Sequence, residues 1–362
     1  MTSTPGTGPY RLTGTVLPQT EPRELWIADG RIVDGPVDRA ETIAEDCYVL
    51  PGLIDAHCHI GLGPQGATSD ADIVAQAQSD LAAGVMMIRD CGSPADTRFV
   101  QERSDLPRLI RAGRHIARPK RYIRFAAAEV DPERLEQQVR HEARCGDGWV
   151  KLVGDWIDRA VGDLAPLWPT DIAAQAIQAA HEEGARVTAH CFDERSVAEL
   201  VAAGVDCVEH GTGMSDDVIS VMAERGVALV PTMINLANFP TYAAQGSEKF
   251  PRYAEHIMAL HARRRDTIGK AIDAGINVYC GTDAGTVVAH GRVHDEIAEL
   301  AMIGGPEFAI GAASWRGRTW LGGDNLSPGA SADLIVCDSD PRENLEALRH
   351  PATKLLRGHP IG

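Results

Sequence analysis

The sequence predicts an α/β protein, a (β/α)8 barrel of the TIM type with a small β-sandwich domain built from both chain ends. Between residues 51 and 324, short apolar runs alternate with helical stretches, giving about eight strand–helix units, the number that closes such a barrel. Residues 10–50 and 327–338 carry β segments cut by turn residues, with no helical period. Histidines and an aspartate end several of the expected parallel strands, which is where these barrels hold their reactive groups. The expected boundaries are 1–50 and 325–362 for the two sandwich parts and 51–324 for the barrel.

Taken in order, the sandwich part opens with YRLTGTV, ELWIA and RIV, with Asp29-Gly30 as a hairpin signal. The first barrel strand is the apolar run from Pro51 to His59. A helix over 71–83 ends at Gly84, a residue suited to a left-handed C-terminal cap. The second strand is VMMIRD (85–90), and the third lies within 106–115. A helix over 132–144 starts on a proline, as first turns tolerate, and WVKLV (149–153) is the fourth strand. A helix capped by Thr170 runs to about Glu183, followed by RVTAH (186–190). Helix 196–203 leads to DCVEH (206–210), and helix 215–225 leads to VALVP (227–231). A long helix within 252–274 precedes NVYCGTD (277–283), the expected eighth strand.

Composition limits the function. The 362 residues are 44% hydrophobic and 24% charged, which suits a globular fold with a large core rather than disorder. No apolar run reaches the length of a membrane span. The opening MTSTPGTG lacks the basic start and apolar core of a secretory leader, so a cytoplasmic location is expected. Eight scattered cysteines without a CxxC fit free thiols in a reducing compartment. A net charge of −16 argues against nucleic acid and anionic membranes as partners. A small-molecule substrate is the expected partner.

The chemistry centres on PGLIDAHCHI (51–60). With a side-chain period of two, His57 and His59 share one face of a strand while Cys58 faces away. Lys151 lies in the fourth strand, and His190, His210 and Asp283 end the fifth, sixth and eighth. These residues are distant in sequence and meet only in a closed barrel. Four imidazoles and a carboxylate exceed what one tetrahedral zinc needs and suit two divalent ions. Lys151 bridges such a pair only as a carbamate, because an ammonium has no lone pair; otherwise it is an ordinary strand or ion-pair lysine.

PGLIDAHCH, the lysine of WVKL, TAHC (188–191), VEHG (208–211), GTDAG (281–285) and the closing PGASADLIV resemble the amidohydrolase superfamily of metal-dependent hydrolases. The resemblance spans nearly the whole chain and is nearest to the imidazolonepropionase-like and Xaa-Pro dipeptidase (prolidase)-like branch. It implies that His57, His59 and Asp283 hold one metal, that His190 and His210 hold the other, and that carboxylated Lys151 bridges them, zinc being the expected ion. It further implies that a hydroxide shared by the metals attacks a polarised carbonyl, with Asp283 carrying the proton to the leaving group. It also raises the expectation of a homo-oligomer.

Substrate choice falls to the loops. The basic segment 108–124 offers arginines suited to bidentate carboxylate recognition, so Arg124, with His115 or Tyr122, is a candidate for holding the acid end of a dipeptide or N-acyl amino acid. Most of that cluster is otherwise solvated surface. Trp156, in the loop 154–168, and the segment 233–250 are candidate pocket walls, and His290 is a candidate site or supporting histidine. His181, His256 and His261 lie on expected helices and read as surface or packing residues. The leading expectation is hydrolysis of an amide in a dipeptide or N-acyl amino acid. The same site could serve a lactone, cyclic amide, urea, carbamate or phosphoester. A catalytically silent ligand-binding barrel is the reading from another class, and an intact ligand set argues against it.

Overall fold

The computed structural model describes residues 8–361; residues 1–7, most of the stretch considered as a leader, lie outside them. The two chain ends meet in one seven-stranded sheet. Its spatial order is His359–Ile361, Thr353–Leu356, Leu334–Cys337, Glu41–Pro51, Tyr10–Val16, Pro22–Ala28 and Arg31–Val33. The expected sandwich is therefore a single hydrogen-bonded sheet. The cause is the 11-residue strand Glu41–Pro51, which pairs in parallel with Tyr10–Val16 and antiparallel with Leu334–Cys337. The C-terminal fragment thus extends the N-terminal sheet instead of facing it. Alternate residues of Tyr10–Val16 are buried, and Leu12, Val16, Val49, Leu334 and Val336 share one core cluster, as a half-buried strand requires.

The central strands are β1 (Leu53–Cys58), β2 (Val85–Asp90), β3 (Arg108–Arg111), β4 (Trp149–Val153), β5 (Arg186–Cys191), β6 (Cys207–His210) and β7 (Ala228–Val230). Every ladder among them is parallel. Residues of β1, β2 and β4 are buried throughout, because helices cover one face and the interior covers the other. The ladders form two sheets, β1–β2–β3 and a six-stranded sheet containing β4–β5–β6–β7. Among the described residues there is no single closed eight-stranded ladder.

Two local features account for this difference from the expectation. The third strand breaks after Arg111, where Gly113 takes φ 68°, and resumes at Ile116, which pairs with Leu152. The segment expected as the eighth strand, 277–283, makes only an isolated bridge, Leu229 with Val278, and a second, Cys58 with Ala284, falls just past its end. Asp283 and Gly285 have φ of 59° and 126°, which ends the extended conformation there. Backbone bonds from Tyr279 N to Leu229 O (2.9 Å) and from Ala56 N to Cys280 O (2.8 Å) still set the segment between β7 and β1.

The helices follow their sequence signals. Ser69 and Asp72 form a reciprocal capping box at Asp70–Ala82, and Asp193 and Ser215 cap Glu194–Ala203 and Asp216–Arg225. Thr170, the expected cap, is instead the first helical residue after Pro169. Residues 154–168 form a hairpin of Asp155–Asp158 with Asp163–Pro166, and 233–250 contains the helices Met233–Leu236 and Phe239–Gly246. No helix of the described residues is long and apolar enough to cross a membrane.

His256, on the helix Pro251–Asp273, is more than a packing residue. Its Nδ1 lies 2.9 Å from Asp163 and its Nε2 2.9 Å from Glu194, so it ties that helix to the hairpin and to Glu194–Ala203. The hydrogen bond to Glu194, helped by Asp163 and opposed by burial, lifts the imidazole to about 9. A histidine raised on folding contributes stability that is full below its unfolded value near 6.5 and disappears as pH climbs past the folded value. The shift corresponds to about 3 kcal/mol. Glu194 is 45% exposed, and solvent screening reduces the expectation to about 1 kcal/mol. Urea unfolding should show His256→Gln weaker than the parent by that amount at about pH 6, with the gap closed by about pH 10. A gap independent of pH would refute the charge assignment.

Candidate active site

Four histidines, Lys151 and Asp283 converge at the C-terminal end of the parallel strands. Asp283 Oδ1 lies 3.2 Å from both His57 Nε2 and His59 Nε2. Lys151 Nζ lies 3.3 Å from the same His57 nitrogen. The His57 and His210 rings are 5.2 Å apart between centroids, and those of His190 and His210 are 4.7 Å apart. His57, His210 and Asp283 offer ligand atoms all within 4.8 Å of one another. His57, His59, Lys151, His190 and His210 are buried. The geometry brings together all six residues that the sequence pattern picked out. His210 and Asp283 both have left-handed backbones, φ 69° and 59°, a strained arrangement common where function fixes the backbone.

The donor chemistry fits divalent ions. His190 is buried, yet neither ring nitrogen has a hydrogen-bond partner, an arrangement that costs free energy unless something else uses the lone pair. Burial, reinforced by His210 and Lys151, holds His190 well below its ordinary value. Burial likewise brings His210 to about 3. Neutral imidazoles are the ligating form. Each of the other rings is turned by a fixed partner: His59 Nδ1 by Gly92 O at 2.8 Å and His210 Nδ1 by Thr232 Oγ1 at 2.7 Å. These bonds leave the Nε2 atoms to point inward.

His57 has the strongest support, and the sequence reading passed over it. Glu209 Oε2 is 2.7 Å from His57 Nδ1, while Glu209 Oε1 takes Arg89 at 2.6 Å and the Thr188 hydroxyl. Arg89 is fully buried, its guanidinium 4.5 Å from the Trp149 ring and 4.9 Å from that of Trp320. Burial raises Glu209, but Arg89, His57 and Lys151 outweigh it and hold the carboxyl well below the usual range. On His57, burial and Lys151 are outweighed by Glu209 and Asp283, so its basicity rises. The available signal was a charged residue inside an apolar strand, Val208-Glu209-His210, together with Arg89 in VMMIRD. A buried charge in such a place needs a partner.

Above the convergence lies a cavity of about 540 Å³, with His59, His190 and Asp283 in its lining. Its walls are aromatic and aliphatic, with Tyr122, Trp156, Phe192, Tyr242, Phe250 and Tyr253 dominant. Tyr122 packs edge-on against Trp156 and His190, at 4.7 and 5.6 Å.

Two of the five expected substrate residues, Tyr122 and Trp156, line the cavity, and three do not. His115 is buried beneath Tyr122, 5.2 Å between rings, with its Nδ1 drawn to Gly92 O at 3.2 Å. Arg124 is exposed beside Phe125, outside the lining. His290 is held 2.8 Å from the buried carboxylate of Asp80. The other arginines of the basic segment brace the fold. Arg121 pairs with Asp158 at 2.7 Å and donates to Trp156 O and Ala165 O, Arg114 donates to Ala126 O, and Arg111 pairs with Asp147. Backbone carbonyls and nearby carboxylates hold these guanidinium groups. Lys249 is the only lysine or arginine lining the cavity among the described residues.

The chain belongs to the amidohydrolase family, which it matches over residues 48–356. It is 51% identical over 351 residues to an uncharacterized protein of Mycobacterium tuberculosis, covering 96% of this chain and 95% of that one. Among solved structures it is similar to a prolidase complexed with N-methylphosphonate-L-proline, with a TM-score of 0.80, 22% identity and coverage of 97% of this chain and 99% of that chain. It is also similar to the ochratoxinase of Aspergillus niger, with a TM-score of 0.78, 18% identity and coverage of 97% and 95%. Membership of this family makes the protein a hydrolase, and its structural neighbours include prolidase-like amidohydrolases.

Proposed function

We propose that the protein is a binuclear metal-dependent amidohydrolase that cleaves an amide joining a bulky apolar or aromatic group to an amino acid, as in a dipeptide or N-acyl amino acid. The observation that carries this is the buried convergence of His57, His59, His190, His210, Asp283 and Lys151, with neither nitrogen of His190 hydrogen-bonded and only the Asp155 carboxylate near Nε2, at 3.7 Å. His57, His59 and Asp283 would hold one divalent ion and His190 and His210 the other, with Lys151 bridging as its carbamate and zinc as the expected metal. Bound there, the ions supply an acidified water and polarise the scissile carbonyl. The aromatic walls supply affinity for the apolar group and exclude water, and Lys249 is placed to meet a carboxylate. Asp283, anionic at neutral pH, accepts the water's proton and passes it to the leaving nitrogen.

Metal analysis of purified protein tests this reading. About two ions per chain are expected, falling to one or fewer in Lys151→Ala, with hydrolysis of N-acyl aromatic amino acids lost in the variant. One ion, unchanged by the substitution, would make Lys151 structural. No metal under zinc- or manganese-rich growth would refute the reading.

A further inference from the structure

We propose that Asn235 and Tyr242 are positioning residues that fix the proton-carrying oxygen of Asp283 toward the scissile bond, an inference that rests on the hydrolase reading above. The two oxygens of Asp283 are used differently. Oδ1 faces His57 and His59, at 3.2 Å from each Nε2. Oδ2 accepts a 2.7 Å hydrogen bond from Asn235 Nδ2. Asn235 Oδ1 in turn accepts from the Tyr242 hydroxyl at 2.9 Å. The amide therefore has one sensible orientation, because a flip would set its carbonyl oxygen against a carboxylate.

The relay stands on a rigid base. Asn235 lies in the short helix Met233–Leu236, whose first two amides donate to the buried carboxylate of Glu296 at 2.9 Å each. The residue before that helix, Thr232, has φ 49° and holds His210 through its hydroxyl. One turn thus sets both a metal-side histidine and the amide that grips Asp283. Asn235, Tyr242 and Asp283 all line the cavity, so the relay faces the substrate.

A carboxylate oxygen has two lone-pair directions. Asn235 occupies one on Oδ2 and leaves the other for the reaction. The water's oxygen bonds to the scissile carbon as the C=O pair shifts onto the carbonyl oxygen, and the water's O–H bond breaks with its proton moving to Oδ2. When the C–N bond breaks, the same proton passes to the nitrogen and Asp283 is again a carboxylate. No further reactant is needed. The demand for that proton depends on the leaving group: an anilide needs it, whereas a nitrophenolate departs as a stable anion.

The test compares metal-loaded wild type, Asn235→Ala, Asn235→Asp and Tyr242→Phe on an anilide and a nitrophenyl ester that share one aromatic acyl group. Asn235→Ala and Asn235→Asp should lower kcat on the anilide by about tenfold to a hundredfold with KM within about threefold, and on the ester by less than about threefold. Tyr242→Phe should show the same pattern more weakly. The visible spectrum of the cobalt-loaded protein should also shift in Asn235→Ala, because Asp283 would turn at its ion. Equal losses on both substrates, or an unchanged cobalt spectrum, would overturn the positioning role while leaving hydrolysis intact. A wild type that binds cobalt but turns over neither substrate puts the activity reading in doubt, and the spectrum then decides the positioning alone. Failure to bind metal overturns both.

Discussion

Asp283→Asn is expected to lower kcat/KM by about a hundredfold to ten-thousandfold, the range by which a positioned acid–base group accelerates a reaction. Burial raises the Asp283 carboxyl, but the surrounding imidazoles, His57 first and then His59 and His210, outweigh it and hold the carboxyl well below the carboxylate range. It is therefore ready to accept a proton at neutral pH. Asparagine keeps the shape and one oxygen acceptor but carries a proton poorly. The Asn235 donor also loses its anionic partner. Because Asp283 also neighbours both His57 and His59, rates should be compared per bound metal. A loss below about tenfold on that basis would remove Asp283 from the proton-transfer role.

Arg89→Met is expected to cost about 3–5 kcal/mol of folding stability, the range for breaking a buried ion pair and leaving one charge alone. Glu209 and Arg89 are both fully buried and lie 2.6 Å apart. Without the guanidinium, Glu209 keeps only the Thr188 hydroxyl and His57 as strong partners. Loss of the contacts with Trp149 and Trp320 adds to the cost. The double variant Arg89→Met/Glu209→Gln should recover much of the stability, because no charge is left unpaired. It should still bind metal about tenfold to a hundredfold more weakly, since His57 loses the carboxylate that orients it. Denaturant unfolding and metal titration separate the two effects. A double variant no more stable than Arg89→Met would show that packing, rather than charge, made the difference.

Much of the site was readable in one dimension because strand geometry repeats. His57 and His59 had to share a face once their run was a strand, and His190 and His210 lie at the C-terminal ends of ordinary parallel strands. Their separation in sequence concealed the distances but not the positions. The supporting groups were harder to read. Glu209 lay within the quoted VEHG run, yet its bond to His57 crosses 152 positions of the chain, and no local period reports such a bond. The arginines of 108–124 misled for the complementary reason. A guanidinium has no fixed partner in sequence, and here hairpin carbonyls and carboxylates took it.

By itself, the sequence determined the alternation of strands and helices, the helix stop at Gly84, whose amide donates to Leu81 O, and the identity of the six converging residues. Each of these depends on local periodicity or on backbone donors a few residues away. Only the tertiary structure decided that the chain ends share one sheet, that the segment ending in Asp283 joins its neighbours by single bridges, and that aromatic side chains rather than arginines wall the cavity. Those outcomes depend on competition among distant groups for the same hydrogen bonds and the same buried space, and that competition is resolved only when the chain is packed.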